Sequence, residues 1–212
     1  MQDARDFFSA AEQERIEAAV RAAEAQTSGE IVPMVVTTSS TYPRSEWVAS
    51  GAAALAIGLT ISWFFGGHSL LWFLGVYLVT FAVAFFAIHA SPALKRWLIP
   101  PDELEAQVRN KALISFLDQR LHETRDKTGI LILISLFERR VQVLADSGIN
   151  AKVPEHTWEE LVASITAGLK RGEACEAVCQ AVERCAQLLT EHFPRKSDDT
   201  NELPDLILES RD

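Results

Sequence analysis

The sequence predicts an α/β protein, a three-layer α/β/α sandwich around a small mixed sheet, with a two-helix transmembrane hairpin inserted after the first strand. Three observations predict it. From Trp47 to Leu94 run 48 residues without a single Asp, Glu, Lys or Arg, enough apolar chain for two bilayer crossings. All 49 charged side chains (20 basic, 29 acidic) therefore lie in the other 164 residues, so a membrane segment is spliced into a well-solvated domain. Around that segment, helical periodicities alternate with short apolar runs in the order α-β-(hairpin)-α-β-β-α-α, a pattern that buries a sheet between helices. The implied organisation is a discontinuous α/β domain over residues 1–45 and 99–193, a hairpin with an interfacial segment over 46–98, and an acidic tail over 194–212.

The first helix opens at a capping box, Ser9 with Glu12, and continues through Ile16, Ala19, Val20 and Ala23 at helical spacing. Glu30 to Thr38 forms the first strand. Pro33 removes a ladder donor there and calls for an edge position or a bulge. Trp47–Phe65 and Leu70–His89 are then apolar runs of 19 and 20 residues, about 28 and 30 Å long as helices. Gly66, Gly67 and His68 break between them. Trp47, Trp63, Trp72 and Trp97 fall near the ends of the runs, where aromatic rings favour the interface. Arg44, Lys95 and Arg96 flank the hairpin on one side and the turn carries no Lys or Arg, which predicts both termini in the cytoplasm and residence in the plasma (inner) membrane. Ala93 to Ile99 reads as an interfacial stretch, with Leu94, Trp97 and Leu98 against lipid and the cations toward headgroups. His68 and His89 sit at the ends of the runs and read as interfacial polar residues.

After Pro100 and Pro101, Asp102 with Glu105 caps a long helix to about Lys127, its apolar side being Leu104, Val108, Ala112, Phe116 and Leu117. Gly129 to Phe137 is almost wholly apolar, the mark of a central strand buried on both faces. Glu138 and Arg139 turn the chain into Arg140–Asp146, which alternates as an edge strand does. Thr157 with Glu160 reads as a second capping box, opening a helix that Gly172 stops. Ala174 to His192 forms the last helix. The tail from Phe193 is polar and acidic and reads as mostly disordered, with Leu203 and Leu206 to Leu208 able to dock.

Several functions are excluded by composition. A net charge of −9 argues against nonspecific nucleic-acid binding, which runs on basic patches. Cys175, Cys179 and Cys185 have no histidine on the same face and apolar neighbours, so they read as small core residues in a reducing compartment. The opening Met-Gln-Asp-Ala-Arg-Asp has no apolar run behind a basic start, so the N-terminal segment is expected in the cytosol. No glycine-rich phosphate loop, Gly-x-Ser-x-Gly elbow, His-Glu-x-x-His or paired-cysteine zinc motif occurs. His122, His156 and His192 are scattered over helical surfaces. What remains is carboxylates at strand ends. Asp146 stands where a strand stops, and with Asn150 and backbone carbonyls it offers hard oxygen ligands to Ca²⁺ or Mg²⁺. The same Asp, Ser, Gly and Asn are also what a turn uses for local hydrogen bonds. Glu30 opens the first strand and joins this site if the strand order brings it to the same edge.

Three stretches resemble the TPM-domain family. Thr27-Ser-Gly-Glu-Ile-Val-Pro-Met-Val-Val resembles its helix-to-strand opening, usually threonine-glycine before an apolar strand. Lys127-Thr-Gly-Ile-Leu-Ile-Leu-Ile-Ser resembles its central strand, and Arg139-Arg-Val-Gln-Val-Leu-Ala-Asp-Ser-Gly-Ile the strand that follows, with Trp158 in the next helix. The resemblance covers roughly residues 5–40 and 103–193. It implies an α/β/α sandwich, often membrane-tethered, in a family with acid phosphatases, calcium binders and accessory factors of membrane complexes. Two departures stand out. Asp146-Ser147-Gly148 replaces a frequent glycine-tyrosine-glycine, and the hairpin interrupts the domain where many relatives have a signal peptide and one trailing anchor. The expectation is an interaction or accessory module held against the lipid bilayer, with a membrane-protein or cytoplasmic protein partner, no nucleic acid, and a bound Ca²⁺ or Mg²⁺. The alternative is a metal-assisted acid-phosphatase-like hydrolase.

Overall fold

A computed structural model describes residues 2–65, 69–124, 127–195 and 203–210. The expected break at Gly66, Gly67 and His68, and Asp198, Asp199, Asn201 and Glu202 of the acidic tail, lie outside the described residues. The chain forms two compact units, residues 40–104 and residues 2–39 with 105–212.

In the second unit, α1 (Ala10–Glu24) begins at the expected capping box: the Ser9 hydroxyl accepts from the Glu12 N–H, and the Glu12 carboxylate accepts from the Ser9 N–H at 2.9 Å. β1 (Glu30–Val36) and β2 (Gly129–Ser135) are buried at every position and pair in parallel. β3 (Arg140–Ala145) pairs antiparallel with β2, and β4 (Ile207–Glu209) pairs in parallel with β1. The order is β3-β2-β1-β4, so the strand that alternates in the sequence is indeed at an edge. Leu203 and Leu206 to Leu208, expected to be able to dock from an otherwise disordered tail, do pack on the core, and Ile207–Glu209 supplies the fourth strand.

Pro33 is accommodated by register. The Glu30 N–H donates to Thr128 on the β2 side and the Thr37 N–H to Glu209 on the β4 side. In a parallel ladder, alternate residues face opposite neighbours, so the nitrogen of Pro33 faces β4. That ladder begins only at Met34, and no bond to β2 is lost.

Side-chain alternation splits the core into two layers. Ile31, Val35, Ile130, Ile132 and Ile134 meet α1, α7 (Thr157–Arg171) and α8 (Ala174–His192). Val32, Met34, Val36, Leu131 and Leu133 meet Val108 and Ala112 of α5 (Pro101–Asp118). The expected sandwich, helices over both faces of a small mixed sheet, is what forms.

Several details differ from the sequence expectation. α5 starts at Pro101 and stops at Asp118 instead of running to Lys127: Arg120 adopts φ +57° and turns Leu121 back to full burial. Leu117 is 56% exposed, while Ser115 occupies the buried side. Thr157 forms no capping box, because His156 is the N-cap and the Thr157 hydroxyl donates to Pro154 O instead. Gly172 ends α7 as expected, at φ +79°, where a Cβ would be strained.

The first unit holds α2 (Pro43–Phe64), α3 (Leu70–Ala90) and the short α4 (Pro92–Leu98). α2 and α3 are both long and apolar enough to cross a membrane. They pack through the small face of Ser50, Ala54 and Gly58, where a Cβ added at Gly58 would lie 3.6 Å from the Phe73 ring. Trp63 and Trp97 are exposed as an interfacial reading requires, but Lys95 does not face headgroups. It is 6% exposed, with Nζ 2.6 Å from Glu46 Oε1 and donating to Thr41 O at 2.6 Å. His89 Nδ1 lies 3.6 Å from the same carboxylate. Once Glu46 is inside the hairpin, a buried carboxylate needs a cation, and Lys95 is the one α4 delivers.

Candidate functional site

Strand order decides which of the candidate residues meet. Glu30 pairs with Gly129, and one step beyond the Ile130–Ala145 pair the Asp146 N–H donates to Gly129 O at 3.0 Å. Glu30, Gly129 and Asp146 thus form one row at one end of the sheet. Two strand spacings separate the carboxylates, about 10 Å of backbone. The space between is filled: a Cβ at position 129 would lie 2.5 Å from Leu121 O, so only glycine lets Leu121 close over the row. Glu30 and Asp146 share an edge but do not converge.

Asp146 is the N-cap of α6 (Ser147–Asn150); Oδ1 accepts from the N–H and the hydroxyl of Ser147, the latter at 2.9 Å. Its other oxygen, Oδ2, is buried and meets no hydrogen-bond donor, an atom for which a water or cation is the natural complement. Asn150 is engaged at both ends of its amide. It donates to Ala145 O at 2.7 Å and accepts from the Trp158 indole N–H at 2.9 Å, tying the end of β3 to α7. Among the described residues, no three His, Cys, Asp or Glu side chains converge as a metal cluster.

The sequence reading missed a carboxylate pair on the other side of Glu30. Glu24, the last residue of α1, accepts the Ile31 N–H at 3.1 Å and hydrogen-bonds to Glu30. Burial first, and then the charges of Glu30 and Asp205, push Glu24 up to about 8, with the Ile31 N–H opposing. A raised folded pKa binds the proton more tightly in the native state, so stability present below 4.5 is lost progressively as pH rises toward 8. We expect the melting temperature to fall across that window and Glu24→Gln to flatten the fall; an unchanged slope in thermal melts would contradict the pairing.

At the opposite end of the sheet, beyond the carboxyl ends of β1 and β2, Glu138 is 4% exposed. It accepts from the Ser39 N–H at 3.0 Å, from the Thr38 hydroxyl and from the Ser135 hydroxyl. Ser135 is itself 1% exposed. This serine and glutamate tie the chain leaving β1 to the β2–β3 turn, and their burial denies a substrate access to the hydroxyl.

The cysteines are free thiols in the α1–α8 layer, as core residues should be. Burial pushes Cys185 up to about 12, and burial with the neighbouring Cys175 pushes Cys179 up to about 11, so neither carries thiolate at neutral pH.

Comparison with known proteins bears on the fold. Residues 100–188 match the family described as TPM domain. No curated protein matches the chain. Among solved structures, the NMR structure of BA42 protein from the psychrophilic bacterium Bizionia argentinensis is similar, with a TM-score of 0.59 and 21% identity over 96% of each chain. At that identity the likeness is one of fold.

Proposed function

We propose that this chain, which carries a TPM domain over residues 100–188, is a membrane-anchored interaction or accessory module whose α/β domain is held at the cytoplasmic face of the plasma membrane. The observation that carries this reading is the division of labour in the chain. α2 and α3 expose apolar side chains such as Trp63, Phe64 and Leu71 at 78–84%, while both core clusters of the α/β unit are closed without any residue of the hairpin. Such exposed apolar surface needs lipid around it. Arg44 and Arg96 flank the hairpin on one side and support cytoplasmic termini. Reporter fusions at Gly67 and after Asp212 are expected to be active in the periplasm and the cytoplasm respectively; a periplasmic C-terminus would reverse the orientation.

Divalent-cation binding is the finer part of the proposal, and Asp146 Oδ2 supports it. One carboxylate oxygen with backbone carbonyls and water makes a weak site, and Ca²⁺ suits it better than Mg²⁺, whose octahedral shell is less forgiving. In detergent, Ca²⁺ at about tenfold over its Kd is expected to stabilise the full chain by about 1.4 kcal/mol, read as a rise in melting temperature that Asp146→Asn removes. No rise in either protein would leave Asp146 as a cap alone. The hydrolase reading has less support, because phosphoryl transfer needs an accessible nucleophile or a metal pair. Metal-dependent turnover of a generic phosphate ester, lost in Asp146→Asn, would overturn the module in favour of the hydrolase.

A further inference from the structure

The fourth strand is held in a way that the other three are not. Ile207–Glu209 contributes three residues to the ladder, against six or seven in the other strands. None of Leu206, Ile207 or Leu208 is fully buried. Leu206 and Leu208 rest on the α1–α8 layer and Ile207 on the α5 layer, alternating as an extended peptide does in a groove. Each end of the segment is anchored by a charge. Asp205 Oδ2 lies 2.8 Å from Arg21 of α1, and Glu209 pairs with Lys111 of α5. The Thr37 N–H donates to Glu209 O at 3.1 Å, completing the main-chain contact.

We propose that this edge of β1, between α1 and α5, is a peptide-docking slot whose partner is an extended segment of another protein, acidic at both ends of three apolar residues, and that residues 203–210 occupy it in competition. The proposal deepens the interaction-module reading and rests on it. The chemistry is that of strand addition. Main-chain bonds of β1 give affinity, alternate apolar positions and the two cations give selectivity. The occupant is displaceable because its ladder is short, none of its apolar residues is fully buried, and each ion pair keeps one partner open to solvent, Arg21 by 50% and Glu209 by 43%, while Asp205 and Lys111 are 18% and 21% exposed, which leaves the pairs partly screened by water. The tail nevertheless competes well, since tethering gives it an effective concentration on the order of millimolar.

The test uses a fluorescent peptide, Leu-Pro-Asp-Leu-Ile-Leu-Glu-Ser, titrated into the detergent-solubilised full chain, a chain ending at Arg195, and the full chain carrying Leu208→Asp. We expect the two altered chains to bind at least about tenfold more tightly than the unaltered one, because the tethered competitor is gone. Lys111→Glu in the shortened chain should weaken binding at least about tenfold, and a peptide with Lys in place of its Asp and Glu should not bind. Cooperative melting of the altered chains with no saturable binding overturns the slot, as does equal binding of the charge-swapped peptide. Loss of the cooperative melt in both altered chains makes the segment part of the folding core and overturns it too. Concentration-dependent dimers of the full chain that vanish on shortening would place a second copy in the slot and overturn the partner named here. Failure of any of these leaves the module reading standing, since that reading falls instead on phosphate-ester turnover.

Discussion

Replacing Trp47–Leu98 by about six Gly and Ser residues is expected to yield a water-soluble domain with one cooperative thermal transition. The reason lies in where the core residues are. The cluster built on Ile31, Ile130, Ile132, Ile165 and Val182 and the one built on Val32, Leu131, Leu133 and Val108 draw only on residues 2–39 and 105–212. The cut ends also lie within side-chain reach of each other. Glu46 and Lys95 are in direct contact, and Lys95 reaches Thr41 as well. A six-residue flexible linker has an r.m.s. span of about 13 Å, which closes such a gap without strain. Removing these 52 residues takes away the exposed apolar side chains of α2 and α3, Trp63, Phe64 and Leu71 among them. Size-exclusion chromatography and a calorimetric scan without detergent check this; an aggregate, or a gradual melt, would show that the hairpin is needed for the α/β unit to fold.

What could be read from the sequence was set by the range of the signal. β1 and β2 were visible because a strand buried on both faces is a continuous apolar run. The two long apolar helices were visible because a run of 48 residues without charge stands out from a sequence that is otherwise densely charged. α8 was legible to its end residues because its apolar face repeats over five turns. β4 was not, since three apolar residues in an acidic tail carry no periodicity; only the neighbouring edge of β1 gives Leu206–Leu208 a reason to be extended. The end of α5 was missed for a similar reason: Leu121 continues the helical pattern but is drawn out of it by the space over Gly129. At the candidate site, the sequence left open whether Glu30 joins Asp146; strand order brings the two to one edge, and no spacing rule could reveal that Leu121 stands between them. Glu24 is six residues from Glu30, a separation that brings side chains together only when a helix turns back into a strand. Lys95 and Glu46 are likewise far apart in sequence, and a charge flanking an apolar run looks like a headgroup partner until its carboxylate is seen.

That ion pair carries the second large effect. Lys95→Met is expected to destabilise the hairpin by about 3–5 kcal/mol, because it leaves Glu46, 8% exposed, as an uncompensated buried charge. The loss is mostly desolvation penalty on the survivor and only partly the attraction removed. It follows that Glu46→Gln combined with Lys95→Met should recover most of the stability, since an amide can still hydrogen-bond and no ion remains unpaired. Glu46→Gln alone should fall between, with the ammonium retaining its 2.6 Å bond to Thr41 O. SDS-induced unfolding of the three full-length variants and the unaltered chain in mixed micelles gives the comparison. Equal midpoints for Lys95→Met and the unaltered chain would mean that water reaches Glu46 freely and that the pair contributes no more than a surface contact.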